Sequence, residues 1–271
     1  MREVNLADKK HFFVATATLA FRMKVQWFKD ILSNRVARQF LWSLYYAGEA
    51  YVELHPRGVF IDKLQPLLAR QLTRQLNDET RHSMLFRALL AEDGLTPVPL
   101  QPIEDLGWYL LNNIVPDVVE NSQLPRPFTK DETIRYMAFL HTLELRSVSD
   151  LMALAMAAQE SGEATLATHF RTILRDERFH ATYTHRAVLR LSENWRQARA
   201  ILDHTRRAEH KHYCKAMQHI LSRFEELDAA PKNLTGRLRW SFMKMLAQTG
   251  WAFPYLPCYQ HIPARIAQED F

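Results

Sequence analysis

Apolar residues recur at the three- and four-residue spacing of an α-helix along most of the chain, and prolines and glycines separate the periodic segments. This pattern predicts helices over residues 7–30, 34–55, 60–92, 129–161, 163–192, 194–228 and 235–250. Ser33 or Asn34 can cap the second helix, and Pro56 ends it. The segment Thr129-Lys130-Asp131-Glu132 is a capping box that starts the fourth helix.

Two segments depart from this pattern. Prolines are frequent between residues 94 and 128 and leave room for one short helix, at about 105–113, so a long crossover between two helix pairs is predicted there. The aromatic, proline-rich segment 251–259 is predicted to be a non-helical strap packed on the helices. A lid over a pocket and a dimer contact are the alternatives for this segment.

The composition favours helix over sheet and one domain over several. The chain has seven glycines in 271 residues and no shift in composition along its length. We therefore predict an all-α protein with a single domain over residues 1–271, formed by a bundle core at about 33–192 and a helical extension at about 194–271. Two isolated cysteines and the lack of an apolar leader or membrane span favour a cytoplasmic protein.

The pattern Asp-Glu-x-x-His occurs at residues 78–82 and again at 176–180. Because residues three apart share a face of a helix, each motif can direct a carboxylate and an imidazole at one point. Glu49 lies 30 residues before Glu79, and Glu144 lies 33 residues before Glu177. Their apolar neighbours argue against exposed helix acids, since a buried carboxylate needs a hydrogen bond, a counter-ion or a metal. Six residues are thus predicted to bind a pair of metal ions: Glu49, Glu79, His82, Glu144, Glu177 and His180.

Two other features compete with this ligand set. Glu53, one turn after Glu49, is the alternative ligand in its helix, but it precedes Glu79 by only 26 residues, so Glu49 is preferred. A third Glu-x-x-His, at Glu209 and His212, lacks the preceding aspartate and has no place in the repeat. We therefore assign no metal to this third motif.

The six ligands resemble those of the ferritin-like di-metal carboxylate superfamily, in which two helices each give a glutamate and two others each give a Glu-x-x-His. The resemblance covers roughly residues 33–190 and implies a four-helix bundle, here with additional N- and C-terminal helices. A ligating histidine usually donates its other ring N–H to a carboxylate, so Asp78 and Asp176 are predicted to hold the two histidines. The chain also looks similar to p-aminobenzoate N-oxygenase and related hydroxylases, but Ile173 stands where that group has an additional histidine ligand.

Carboxylates with two imidazoles and no thiolate favour iron, and manganese or a mixed iron–manganese pair suits the same ligands. The resemblance implies a non-haem di-iron oxygenase in which the six ligands are catalytic through the metal ions. It would use O₂ as co-substrate and an external electron donor to hydroxylate or N-oxygenate a small-molecule or carrier-bound substrate. The C-terminal extension is predicted to wall a pocket, with four candidate lining residues: Trp240, Trp251, Phe253 and Tyr255.

The superfamily leaves other activities open: a tRNA-modifying hydroxylase, an iron-storage protein and a radical generator. Tyr45, Tyr46 and Tyr183 lie one turn from predicted ligands and support the radical alternative. Basic stretches at 22–38 and 186–215 are predicted to be solvated helix faces, with an acidic protein or nucleic acid as the alternative partner. Nucleic acid is not favoured, because no nucleic-acid motif accompanies the charge. A homodimer is also compatible with the sequence.

Overall fold

A computed structural model describes residues 19–50 and 58–249, and every regular element in these ranges is an α-helix. The prediction of an all-α protein is confirmed. The helices are α1 (Leu19–Leu32), α2 (Arg35–Glu49), α3 (Gly58–Ile61), α4 (Pro66–Glu92), α5 (Leu106–Ile114), α6 (Pro116–Asn121), α7 (Lys130–Glu160), α8 (Ala164–Leu191), α9 (Trp195–Glu226) and α10 (Leu234–Thr249). None of these described helices has the length and apolar character needed to cross a bilayer.

Side-chain caps set several helix starts where the sequence predicts them. Asn34 accepts hydrogen bonds from two backbone N–H groups in the first turn of α2. Thr129 and Glu132 form the reciprocal capping box that starts α7. α7 and α8 form a helical hairpin that turns at Gly162, whose φ of +81° lies in the left-handed region that favours glycine.

Three predicted boundaries are wrong. α2 ends at Glu49 rather than near His55, and residues 51–57 lie outside the described ranges. The helix predicted at 60–92 is two helices, because Pro66 occupies the first turn of α4, where its missing N–H costs no intrahelical hydrogen bond. The crossover holds α6 in addition to α5, since Pro116 starts a second helix there. The predicted helix start at residue 7 and the strap at 251–259 fall outside the described residues.

Two helix pairs, α2 with α4 and α7 with α8, carry the candidate ligands, and α4 packs on α8. Trp42, Phe86 and Phe170 come from α2, α4 and α8 and are almost completely buried. The Trp42 ring centroid lies 5.9 Å from that of Phe86 and 5.8 Å from that of Phe170. Burying side chains of this size contributes about 2 kcal/mol each. This aromatic core, one to two turns from the candidate ligands, holds the three helices in register.

Three helices outside these pairs, α1, α9 and α10, form a group beside α7. α1 and α9 contact α7 directly, while α10 lies against α9 and α1. Trp27, Phe224 and Trp240 join α1, α9 and α10 in one aromatic cluster, with ring centroids 5.5 to 6.3 Å apart. Arg239 of α10 also donates two hydrogen bonds to Asp30 of α1. The described part of the C-terminal extension therefore forms a wall around the helices that carry the site.

Candidate metal centre

Six side chains from four helices converge in the interior. Glu49 is the last residue of α2, Glu79 and His82 lie on α4, Glu144 lies on α7, and Glu177 and His180 lie on α8. No member of this set exceeds 9% exposure. The three-residue spacing in α4 and α8 puts the glutamate and the histidine of each helix on one inward face, as the sequence predicts.

The six side chains form two overlapping groups, each with its potential ligand atoms within 4.8 Å of one another. One group is Glu49, Glu79, His82 and Glu177, and the other is Glu79, Glu144, Glu177 and His180. Glu79 and Glu177 belong to both groups. Because a carboxylate has two oxygens, each shared residue can offer one to either group. These buried groups could hold metal ions, and their overlap suits two neighbouring cations.

The histidines direct one ring nitrogen inward and the other toward the opposite half of the repeat. His82 Nδ1 lies 3.3 Å from both Glu79 Oε2 and Glu177 Oε1, and its Nε2 lies 3.4 Å from Asp176 Oδ2. His180 Nδ1 lies 3.2 Å from Glu177 Oε2, and its Nε2 lies 3.3 Å from Asp78 Oδ2. Each aspartate thus contacts the histidine of the other motif, which fixes the orientation of the ring.

Burial and like charge make the four carboxylates unequal. Burial, reinforced by the charge of Glu79, raises the pKa of Glu49 well above its usual value. Burial and the charge of Glu177 do the same to the pKa of Glu144. Burial also acts to raise the pKa of Glu79 and of Glu177, but hydrogen bonds with the neighbouring acids and histidines lower both. The two outer acids, Glu49 and Glu144, therefore bind a proton more readily than the two shared acids.

The pKa values of the two histidines are shifted as well. Burial alone lowers the pKa of His180, but the hydrogen bond to Glu177 and the charge of Glu79 raise it to about 9. The pKa of His82 is raised too, because hydrogen bonds with Glu177 and Glu49 outweigh its burial. Metal binding requires ionised carboxylates and neutral imidazoles, so protons leave these residues as cations enter. Two divalent cations balance four carboxylates, and the donor set therefore fits a metal pair.

One residue of the site escapes sequence analysis. Gln75 is fully buried on α4, and its amide N–H₂ donates to Glu144 Oε1 at 2.6 Å and to Glu79 Oε1 at 3.1 Å. Tyr183 donates its hydroxyl to Gln75 Oε1 at 2.5 Å. Gln75 lies one turn before Glu79, and that spacing was the available signal. It links Tyr183 to the carboxylates and orients them.

A cavity of about 130 Å³ adjoins the four carboxylates. Most of its wall is apolar and comes from five helices, with Phe28 of α1, Leu41 of α2, Leu110 of α5, Leu143 of α7 and Met217 of α9 among the lining. All four glutamates belong to the lining, and neither His82 nor His180 does within the described residues. The cavity therefore meets the site on the carboxylate side.

A second set of largely buried charges adjoins the cavity, and Arg146, Asp150 and Tyr213 of this set line it. Arg146 donates from Nε and Nη2 to the two carboxylate oxygens of Glu209, at 3.0 Å each. Lys24 pairs with Asp150, and Tyr213 donates to the same aspartate at 3.3 Å. We call these residues the ion-pair wall. Glu209, from the third Glu-x-x-His, thus binds an arginine.

Several residues that the sequence predicts at the site lie elsewhere or outside the described residues. Trp240 packs against Phe224, with ring centroids 5.5 Å apart. Phe224 lines the cavity and Trp240 does not, so the predicted lining role of Trp240 is wrong. Glu53 and the other three candidate lining residues, Trp251, Phe253 and Tyr255, lie outside the described residues.

Comparison with known proteins identified no relative of this chain. A scan of family models, a search of curated proteins and a search of solved structures each found no match. The site itself is therefore the basis for any inference about function.

Proposed function

We propose that the protein is a non-haem di-metal oxygenase of the ferritin-like kind, with iron as the preferred metal. The observation that carries the proposal is the apolar cavity that adjoins two overlapping carboxylate–histidine groups. Hard carboxylates with two imidazoles suit iron, and manganese or a mixed pair suits them as well. When bound, a pair of iron ions supplies the electrons and open coordination positions needed to activate O₂.

The protein's own residues would hold and orient the reacting groups. Glu79 and Glu177, which belong to both groups, would hold the two ions together, while Gln75 restrains Glu79 and Glu144 by hydrogen bonds. Asp78 and Asp176 orient the two ligating imidazoles. The apolar lining would exclude water and keep the substrate beside the carboxylates.

We propose that the substrate is neutral and largely apolar. Arg146 is matched by Glu209 and Lys24 by Asp150, so the ion-pair wall carries no excess charge for a ligand to balance. Two divalent cations would likewise balance the four glutamates. A charged substrate would lose its hydration without gaining a counter-charge, which costs several kcal/mol.

Product analysis under ¹⁸O₂ tests this function. Protein loaded anaerobically with two ferrous ions per chain is exposed to ¹⁸O₂ with a panel of neutral aromatic and alkyl compounds and their carboxylate analogues. We expect label in the oxidised products of neutral compounds. The matched control is Leu110→Trp, which fills the cavity from α5, away from the ligands, and should bind iron normally but give little product. Labelled product at an equal rate from Leu110→Trp would contradict the role of the cavity.

Adding excess ferrous ion to the loaded protein distinguishes an oxygenase from an iron-storage protein. With excess ferrous ion, oxidation by an oxygenase should stop at about two irons per chain. Continued mineralisation of many irons would reject the oxygenase proposal.

The contact between Tyr183 and Gln75 supports a radical generator as the second candidate. This alternative predicts a stable tyrosyl signal in electron paramagnetic resonance after exposure to O₂, which Tyr183→Phe removes. An oxygenase would give product without that signal.

A further inference from the structure

Arginine is concentrated in the two helices that carry the histidines. α4 and α8 together contain nine arginines and no lysine. Four of them, Arg74 and Arg81 of α4 with Arg175 and Arg178 of α8, are exposed where these helices meet. We call these four residues the arginine face. Neither basic stretch found by sequence analysis includes them.

Contacts between the helices show that three of these arginines share one surface. Arg81 Nη2 donates to Asp78 of its own helix at 2.9 Å and to Asp176 of α8 at 2.8 Å. The guanidinium of Arg74 lies over the Phe179 ring of α8, 4.1 Å from its centroid. Arg175 Nε lies 3.5 Å from the other carboxylate oxygen of Asp176. Both helices therefore contribute positive charge to a single patch.

The arginine face lies directly over the histidines. Asp176 contacts both Arg81, whose side chain is 57% exposed, and the Nε2 atom of His82. Asp78 contacts Arg81 and the Nε2 atom of His180 in the same way. Two short contacts thus connect an exposed guanidinium to each ring that would bind metal.

We propose that the arginine face is the docking surface of an acidic electron-transfer protein. The inference rests on the proposed function, because hydroxylation with O₂ consumes electrons. One oxygen atom of O₂ is inserted into a C–H bond to give C–OH, and the other takes up two protons and two electrons and leaves as water. The partner supplies those electrons, one or two at a time. Complementary charge steers such a partner to its site and orients it there.

The position of the cavity favours a protein over a nucleic acid. The apolar lining of the cavity comes from α1, α2, α5, α7 and α9, and α4 and α8 contribute the carboxylates of Glu79 and Glu177, whereas the arginine face covers the histidine side. A nucleic-acid substrate bound to the arginine face would therefore be separated from the cavity by the metal site. A reductant bound there would lie on the side of the site that the substrate does not occupy.

Charge reversal on the full-length protein tests the docking surface. The probe is a small, acidic [2Fe–2S] ferredoxin, and its affinity is measured by calorimetry with metal-free and iron-loaded protein at low and high salt. We expect Arg74→Glu combined with Arg175→Glu to weaken binding at least about tenfold at low salt. The wild-type affinity should fall as salt screens the charges. The matched control, Arg196→Glu combined with Arg199→Glu, reverses two exposed arginines in the first turns of α9 and should change affinity by less than about threefold.

Electron transfer and nucleic-acid binding complete the test. Reduced ferredoxin should reduce the diferric wild type and the α9 variant rapidly and the α4/α8 variant slowly, while dithionite reduces all three alike. Equal ferredoxin affinity for both double variants would overturn the proposal. A short RNA duplex that binds the arginine face where ferredoxin does not would overturn it as well.

The docking proposal and the proposed function fail in different ways. If dithionite-reduced protein consumes O₂ and labels product but ferredoxin neither binds nor reduces it, docking is wrong and the oxygenase stands. If the protein binds ferredoxin at the arginine face but the loaded protein gives no labelled product, the oxygenase is wrong and the surface itself is supported.

Discussion

The cavity is bounded by two clusters of buried charge that differ in their balance. In the ion-pair wall, Arg146 faces Glu209 and Lys24 faces Asp150, so each cation has an anion beside it. In the candidate metal centre, the described hydrogen-bonding neighbours of the four glutamates are two histidines, one glutamine and the other glutamates. A cluster that balances itself maintains the structure. A cluster with excess acid must keep protons or bind added cations, and the ion-pair wall needs neither.

Removing a shared glutamate should have the largest effect. Glu177 belongs to both ligand groups, so Glu177→Ala should lower iron from about two ions per chain to none, whereas Glu49→Ala should remove one. Iron per chain after anaerobic loading and desalting measures this. Circular dichroism should show the helical content unchanged. Two tightly held irons in Glu177→Ala would refute the ligand assignment.

Breaking the ion-pair wall should affect stability rather than metal. Arg146→Met leaves Glu209 buried without its bidentate partner, which should lower the free energy of unfolding by about 3 to 5 kcal/mol. Urea denaturation of the metal-free protein measures the loss. Adding Glu209→Leu should restore much of it, since a matched apolar pair replaces the ion pair. Loss of iron from the folded single variant would show that the two clusters are not independent.

In the candidate metal centre, removing a buried acid should raise the free energy of unfolding rather than lower it. Burial raises the pKa of Glu144, so this residue binds its proton more tightly in the folded than in the unfolded state. Its contribution to stability is therefore fully present below the unfolded pKa and is lost as pH rises through the folded pKa. At pH 7 and above, Glu144→Gln should stabilise the metal-free protein by about 1 kcal/mol or more while weakening iron binding.

Urea denaturation between pH 4 and 9 checks this sign. The wild type should lose stability relative to Glu144→Gln as pH rises, and the two proteins should converge at low pH. Gln75 can still donate to the amide oxygen of the variant, so that contact is retained. A variant that is less stable than wild type at every pH would contradict the picture of excess buried acid.

Residue spacing within a helix explains how much of these two clusters could be predicted from the sequence. The candidate metal ligands follow from the three-residue spacing within α4 and α8 and from the repeat of the motif, both of which are visible in one chain. The ion-pair wall joins Lys24, Asp150 and Glu209 from three helices, and helical periodicity gives no information about which distant helices meet. Trp240 was misplaced for the same reason, since α10 packs behind α9.

The arginine face was missed because its charge is spread over two helices. The basic stretches predicted from the sequence are runs of charge along the chain, whereas buried apolar residues separate the arginines of α4 and α8. Only the packing of the two helices brings Arg74 and Arg175 to one surface. The resemblance to a ferritin-like oxygenase, the extent of the domain and the metal itself remain predictions.

The smallest expected effect concerns Gly48, which lines the cavity. It lies in helix α2, and a Cβ atom there would meet no heavy atom within 4 Å. Gly48→Ala should therefore raise the free energy of unfolding by about 0.5 to 1 kcal/mol, because alanine loses less backbone freedom on folding.

Gly162 is the matched control: its Cβ would also meet nothing within 4 Å, but its φ is +81°. Gly162→Ala should lower stability by about 1 kcal/mol, since an L side chain strains that conformation. Thermal denaturation of both variants measures the difference, and iron per chain should stay at about two in each. A stabilised Gly162→Ala or a destabilised Gly48→Ala would show that space, rather than backbone conformation, limits these two positions.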